Sequence, residues 1–195
     1  YSLLKAQEER YVKRVDYAVE MTEADDPDEK WQLIRNRHEE TKRKLKVRKI
    51  LPLTIIVTPT IKRCQEVAEE LKEFLIEADR IKPDTADERV LVVYNNAPDV
   101  RRLGLVDTAG SKVEWIVAVS MLNEGWDVKR VFQIVPHEER AFDSKLLIAQ
   151  VLGRGLRIPL GWDGAQPTVT VFNHVKWADS IRHLVAEVLE LSLIH

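Results

Sequence analysis

The run Leu53-Thr-Ile-Ile-Val57 decides the fold of this chain. It is short, apolar and β-branched, and Pro52 and Pro59 bound it on either side. Such a run predicts a strand that is buried on both faces, as in a parallel sheet. Apolar residues at helical intervals follow over residues 61–78, so the strand is expected to lead directly into an amphipathic helix.

The same alternation continues along the chain. Four further apolar runs predict strands, at residues 90–94, 113–119, 131–135 and 168–172. Helical patterns fall at residues 144–152 and 179–193, with a shorter helix at 101–106. Strands that alternate with helices indicate a three-layer α/β domain with a mostly parallel central sheet. In such sheets the functional groups collect at the carboxyl ends of the strands.

Residues 1–49 differ in character from the rest. They are rich in Glu, Lys and Arg and contain no glycine. Apolar residues recur there at helical spacing, and a second helix is expected to begin after a cap at Asp28. These apolar positions are Tyr11, Val12, Val15, Ala18 and Val19. We therefore predict an N-terminal helical extension over residues 1–49 and a separate α/β domain over residues 50–195.

Composition narrows the classes of protein. The 195 residues carry a formal net charge of -2, so no bulk basic charge argues for nucleic-acid binding. The single cysteine, Cys64, excludes a disulfide within the chain, and no metal-ligand spacing is present. No apolar run is long enough to cross a membrane and no signal peptide is visible, so the reducing cytosol is the expected compartment. The chain begins without methionine, which we interpret as a fragment of a longer polypeptide.

Two segments carry the chemistry. The first is Ser120-Met-Leu-Asn-Glu-Gly-Trp-Asp127, which follows a predicted buried strand. The second is Gln150-Val-Leu-Gly-Arg-Gly-Leu-Arg157, which places two arginines one helical turn apart. Arginine keeps its charge and has a planar fork that matches phosphate oxygens, so the pair is suited to phosphoryl transfer. Taken alone, the second segment would equally fit a helix end with glycines and solvated arginines.

Together and in this order, the two segments resemble motifs five and six of superfamily-two helicases and translocases. The spelling Asn-Glu-Gly-Trp-Asp-Val with Gly-Arg-Gly-Leu-Arg is most similar to the restriction subunit of type III restriction-modification enzymes. The resemblance implies a RecA-like fold, of the phosphate-loop NTPase type, for residues 50–195. It also implies that this is the second of two lobes, which bind ATP and Mg²⁺ jointly.

The resemblance assigns roles to residues. Arg154 and Arg157 would be the catalytic arginine fingers, and Gln150, Gly153, Gly125 and Asp127 would lie on the nucleotide side. Ser120 and Asn123 would face nucleic acid, as would Thr58 and Thr60 of the Thr58-Pro-Thr60 segment, which resembles motif four. The Thr-Pro-Thr sequence is equally a cap for the following helix. The glycines of the second motif would leave room for a phosphate or a partner backbone.

The remaining candidates for functional residues have weaker support in the sequence. The densest basic run could bind DNA phosphates, but a solvated helix face is the more common origin of such a run. It comprises Lys42, Arg43, Lys44, Lys46, Arg48 and Lys49. A catalytic role for Cys64 is not expected, because it falls in a helix on a packed surface. No metal site is predicted.

We expect the second lobe of an ATP-dependent DNA translocase, with the type III restriction subunit as the preferred member. The partners implied are a preceding lobe, double-stranded DNA and a methyltransferase subunit. No phosphate loop of the form Gly-x-x-x-x-Gly-Lys-[Ser/Thr] is present, so the chain alone is not expected to hydrolyse ATP. Two alternatives remain: a lobe of another superfamily-two DNA or RNA helicase, and a noncatalytic interaction module that kept the fold.

Overall fold

The structure is a computed structural model, and it describes residues 2–20, 27–98, 100–119, 128–137, 145–174 and 178–191. Its helices are Leu3–Glu8 (α1), Pro27–Leu45 (α2), Ile61–Asp79 (α3), Pro83–Arg89 (α4), Lys145–Gly155 (α5) and Ala178–Leu191 (α6). Its strands are Arg14–Glu20 (β1), Leu53–Thr58 (β2), Val90–Val93 (β3), Trp115–Val119 (β4), Val131–Pro136 (β5) and Thr168–His174 (β6). Short 3₁₀ helices cover Lys46–Arg48 and Val100–Leu105.

The strands form one six-stranded sheet in the order β1-β6-β5-β2-β4-β3. Every pairing between these strands is parallel. The predicted parallel α/β architecture is therefore confirmed, and β2 lies at its centre between β5 and β4. The predicted short helix at residues 101–106 is also present, as the 3₁₀ helix Val100–Leu105.

Helices cover both faces of the sheet. Alternate residues of β2 enter two different cores, with Ile55 in one and Ile56 in the other, and both are fully buried. Helices α5 and α6 pack into the core of Ile55, whereas α2 and α3 pack into the core of Ile56. A strand buried on both faces contributes on the order of 1.5–3 kcal/mol per large apolar side chain. This accounts for the continuous apolar run of β2.

The N-terminal residues correct our prediction. The helix expected over Tyr11 to Val19 is wrong: residues 14–20 form β1, which pairs in parallel with β6 along its whole length. The side chains of Arg14 and Asp16 are exposed while Val15 and Tyr17 are partly buried, which is the two-residue period of an edge strand. The apolar spacing fits a helix as well, and pairing with β6 decides between them.

Helix α2 also joins the main body of the protein. Trp31 and Ile34 of α2 are buried in the same core as α3. Residues 1–49 thus add an edge strand and a packed helix to the sheet, and they are not a purely helical extension that stands apart from it.

Candidate functional site: two ends of the central strands

Helix α5 carries the glutamine and the first arginine of the predicted nucleotide motif. Gln150 and Gly153 are exposed, and Arg154 is half-buried. Helix α5 ends at Gly155, so Arg157 lies just beyond it in an exposed position. The Arg157 N–H still donates to the Arg154 carbonyl at 3.3 Å. The two arginines therefore stand one turn apart, as predicted, although only Arg154 is helical.

The two glycines of this motif have different roles. A Cβ atom at Gly153 would meet nothing within 4 Å, so there is open space beside it. A Cβ atom at Gly155 would lie 2.9 Å from Cδ1 of Ile134 on β5, closer than packed atoms come. The room expected at Gly155 for a partner or phosphate is thus filled by the protein's own strand. The prediction of an open approach holds for Gly153 and is wrong for Gly155.

A buried lysine ties this motif to the sheet. Lys13 is fully buried, and its Nζ donates to the carbonyls of Lys129 at 2.8 Å, Val131 at 2.6 Å and Gly155 at 3.0 Å. Its backbone N–H donates to the Leu156 carbonyl at 2.8 Å. Because Val131 is the first residue of β5, the arginine motif lies at the amino end of that strand. This placement could not be predicted from local sequence, since these contacts join residues more than 100 positions apart.

The amino group of Lys13 is shielded from solvent. Burial lowers the pKa of Lys13 to about 7, and the charge of Asp107 acts in the opposite direction. The ring of Phe132 lies 4.7 Å from Nζ and offers its negative face to the cation. Carbonyl oxygens thus satisfy the donors of this ammonium, and no salt bridge to Lys13 occurs among the described residues.

The segment after Arg157 is held by a second N-terminal residue. The guanidinium of Arg48 stacks over the ring of Trp162 at 4.2 Å and also bonds to the carboxylate and the carbonyl of Asp163. The Trp162 ring in turn contacts Phe132, with centroids 6.1 Å apart. Arg48 belongs to the basic run that we considered for DNA binding.

Other members of that run are also engaged within the protein. Lys42 Nζ lies 2.7 Å from a Glu114 oxygen, and Lys44 lies 2.7 Å from Glu40. These contacts favour the interpretation of the run as a helix face and connector rather than a DNA-binding patch.

The opposite ends of the central strands carry the Thr58-Pro-Thr60 segment. Thr58 is fully buried, and its hydroxyl donates to the Ala118 carbonyl at 3.1 Å. Its side chain therefore contacts β4 and does not face solvent, which corrects the prediction that it would contact nucleic acid. Thr60 is exposed, and its hydroxyl accepts from the Arg63 N–H at 3.2 Å as the N-cap of α3. The capping interpretation is confirmed for Thr60.

A histidine with two basic neighbours lies at the same end of the central strands. His137 follows β5, and its N–H donates to the Val57 carbonyl at 3.0 Å. Lys30 Nζ donates to the His137 carbonyl at 2.6 Å and lies 3.4 Å from Nδ1, while an Arg63 nitrogen lies 3.4 Å from Nε2. Burial, followed by the charges of Lys30 and Arg63, lowers the pKa of His137 to about 3. The ring is therefore neutral and stacks on Trp31 with centroids 5.4 Å apart.

A third group of charged residues is structural. His38 Nε2 lies 3.0 Å from Glu114, and His38 Nδ1 lies 2.9 Å from Thr54 Oγ1. His38, Glu39 and Glu114 come close enough together to suggest metal ligands. However, Lys42 and Arg89 already supply positive charge to Glu114, so these groups form an ion-pair network that joins α2 to the sheet.

Some predicted residues lie outside the described part of the chain, namely Ser120, Asn123, Gly125 and Asp127. Cys64 is described: it is fully buried in α3, and burial raises the pKa of its thiol to about 11. A thiol held in this protonated state is a poor nucleophile, in agreement with our expectation. Among the described residues, no helix combines the length and apolar character that a membrane span requires.

Comparison with known proteins agrees with the fold. No family model and no curated protein matches the chain. S. cerevisiae Dbp5 bound to RNA and ADP BeF3 is similar over 92% of this chain and 40% of its own, at 15% identity and a TM-score of 0.55. The ATP-dependent Type ISP restriction-modification enzyme LlaBIII bound to DNA is similar over 97% of this chain and 14% of its own, at 13% identity and a TM-score of 0.53.

The chain spans less than two thirds of the length of these solved structures. The likenesses show a RecA-like α/β fold.

Proposed function

We propose that this chain is the second RecA-like lobe of an ATP-dependent DNA translocase, and specifically of a type III restriction subunit. One observation supports this most strongly. On a RecA-like fold, the last two turns of α5 and the residues just beyond it present Gln150, Gly153, Arg154 and Arg157 at exposed or half-buried positions. The spelling of this arginine motif and of the Ser120–Asp127 segment favours the restriction subunit within that class.

The hydrogen-bond donors of the arginine motif suit a nucleotide phosphate. Arg154 and Arg157 provide two guanidinium groups, and the open space at Gly153 leaves room for phosphate oxygens beside them. In this proposal the arginines stabilise the charge on the γ-phosphate in the transition state, while Gln150 contacts the nucleotide or the first lobe. Gly125 and Asp127 would complete the nucleotide side. ATP and Mg²⁺ would bind jointly with a preceding lobe that carries the phosphate loop.

The carboxyl ends of the strands would contact DNA. Thr60 is exposed at the N-terminus of α3, where backbone N–H groups and the helix dipole favour phosphate oxygens. Arg63 adds a guanidinium in the first turn of α3, where it is also paired with Glu66 and Glu70. Lys30 lies against His137 at the same end of the strands. Ser120 and Asn123 would add contacts from the neighbouring strand end. Closure of the two lobes would move these groups along a double-stranded DNA backbone, and a methyltransferase subunit would read the sequence.

The role of the N-terminal residues follows from the same proposal. Residues 1–49 would connect this lobe to the preceding one. They also contribute β1 and α2 to the sheet and its core, so the connector would be rigidly attached to the second lobe.

The test is ATP hydrolysis by the full-length parent polypeptide, with and without duplex DNA. We expect DNA to stimulate hydrolysis, and Arg154→Ala and Arg157→Ala each to remove about 10³-fold or more of kcat. Arg101→Ala, at an exposed arginine of the 3₁₀ helix Val100–Leu105, is the matched control and should retain the wild-type rate.

The products separate the remaining classes. Cleavage that needs a methyltransferase subunit supports the restriction enzyme, and strand separation without cleavage points to another superfamily-two helicase. Hydrolysis that ignores DNA and survives both arginine substitutions would contradict the proposal and leave a noncatalytic module.

A further inference from the structure

Lys13 holds two successive peptide units of the arginine motif. Its side chain donates to the Gly155 carbonyl at 3.0 Å, and its backbone N–H donates to the Leu156 carbonyl at 2.8 Å. These two residues lie between Arg154 and Arg157. The same ammonium donates to the carbonyls of Lys129 and Val131, which lead into β5. One buried side chain therefore links the end of α5 to the start of the strand beneath it.

The carboxyl end of α5 needs a hydrogen-bond donor at this position. The last carbonyls of a helix have no partner within the helix, and the negative end of its dipole favours a cation. Gly155 lets the backbone of α5 lie close to Ile134. The Gly155 carbonyl is therefore buried and cannot accept a hydrogen bond from bulk water. A buried carbonyl without a donor is unfavourable, and the backbone would shift to find one.

We propose that Lys13 is a positioning residue for the arginine pair, and that it sets where Arg154 and Arg157 point by fixing the backbone between them. This inference rests on the proposed function, since it concerns the same arginines. Lys13 immediately precedes β1 and is fully buried, so it would affect ATP hydrolysis without contacting nucleotide or DNA. A displacement of about 1 Å in a catalytic group can reduce a rate about 10²-fold.

The experiment uses the full-length polypeptide with duplex DNA present. Lys13→Met keeps the apolar stem and removes the ammonium. Lys82→Met, at an exposed lysine that precedes α4, is the matched control. We expect Lys13→Met to lower kcat about 10- to 100-fold with the KM for ATP changed less than about threefold, whereas Lys82→Met keeps both constants. Circular dichroism and thermal unfolding establish the folded fraction at the assay temperature.

A double-mutant cycle separates positioning from a general loss of structure. Arg154→Lys keeps the charge and loses the planar fork, so it should leave a measurable residual rate. If Lys13 acts through Arg154, adding Lys13→Met to Arg154→Lys should cost clearly less than the product of the two single losses. Should Lys13→Met fail to fold, Lys13→Gln takes its place in the same cycle, because its amide keeps two N–H donors in the buried site but is one bond shorter and cannot bind all three carbonyls.

The outcomes are distinct. A folded Lys13 variant with wild-type kcat, or two losses that simply multiply, would overturn the role of Lys13 while Arg154→Ala still tests the proposed function. Wild-type hydrolysis by Arg154→Ala would overturn the proposed function, and the role of Lys13 with it.

Discussion

The two ends of β5 hold charge in opposite ways. At the amino end, the Lys13 ammonium is buried and donates its hydrogen bonds to three backbone carbonyls. At the carboxyl end, the buried group is the neutral ring of His137, and the cations Lys30 and Arg63 surround it at the surface. The first arrangement buries the cation itself, whereas the second keeps its cations partly exposed, where Lys30 binds the His137 carbonyl and Arg63 is also paired with Glu66 and Glu70. The burial and the partners of a cation, rather than its presence, thus distinguish the two ends.

The two ends also separate the two predicted partners. The arginine motif lies at the amino end of β5, and Thr60 follows the carboxyl end of the adjacent strand β2. A six-residue strand is roughly 20 Å long, so nucleotide and DNA would contact this lobe about that far apart. A substitution at one end of the strands should therefore leave the other end intact.

The largest effect on stability is expected at the carboxyl end in acid. The pKa of His137 falls from 6.5 to about 3 on folding, so neutral His137 is favoured in the folded protein. Its contribution is present above pH 6.5 and is lost as the pH falls towards 3, up to about 5 kcal/mol. His137→Phe keeps a ring against Trp31 and should flatten this fall in urea unfolding between pH 6.5 and 4. His183→Phe, at an exposed histidine of α6, should leave it unchanged.

The next effect compares the two glycines at the amino end. Gly155→Ala forces Ile134 or the helix to move, which should destabilise the protein by about 1–3 kcal/mol. Gly153→Ala meets open space in a helix and should stabilise it by up to about 1 kcal/mol. Denaturant midpoints measure both. If both substitutions lowered the free energy of unfolding equally, the close packing of Gly155 against Ile134 would be contradicted.

Thr60 allows capping and DNA contact to be separated. Thr60→Asp keeps an N-cap oxygen and suits the helix dipole, so Tm should stay within about 2 °C of the wild type. The added negative charge should weaken DNA binding by up to about tenfold at low salt. Fluorescence anisotropy with duplex DNA measures the affinity. Unchanged affinity in Thr60→Asp would mean that Thr60 serves only as a cap.

The smallest effect is expected at Arg48. Arg48→Ala removes its stacking on Trp162 but leaves the Lys13 contacts with Gly155 and Leu156. We expect Tm to fall by about 2 °C and kcat to stay within about twofold. A loss of kcat as large as in Lys13→Met would indicate that the segment after Arg157, rather than the helix end, sets the arginine geometry.

Much of the fold was predictable because β2 and its neighbouring strands are buried on both faces, and short apolar β-branched runs are typical of such strands. The edge strand β1 could not be predicted. The spacing of Val12, Val15, Ala18 and Val19 also fits a helix, and only pairing with β6 selects a strand. The arginine turn was visible as local sequence. Lys13 and His137 were not, because each gains its role from burial and from partners distant in sequence.

ATP hydrolysis by the full-length polypeptide with duplex DNA should be measured in the steady state for Arg154→Ala, Arg157→Ala and the control Arg101→Ala. The proposed lobe predicts that both motif variants fold like the wild type and lose about 10³-fold or more of kcat, while Arg101→Ala hydrolyses ATP normally. Wild-type turnover in either motif variant would contradict the claim that this turn of α5 completes an ATP site.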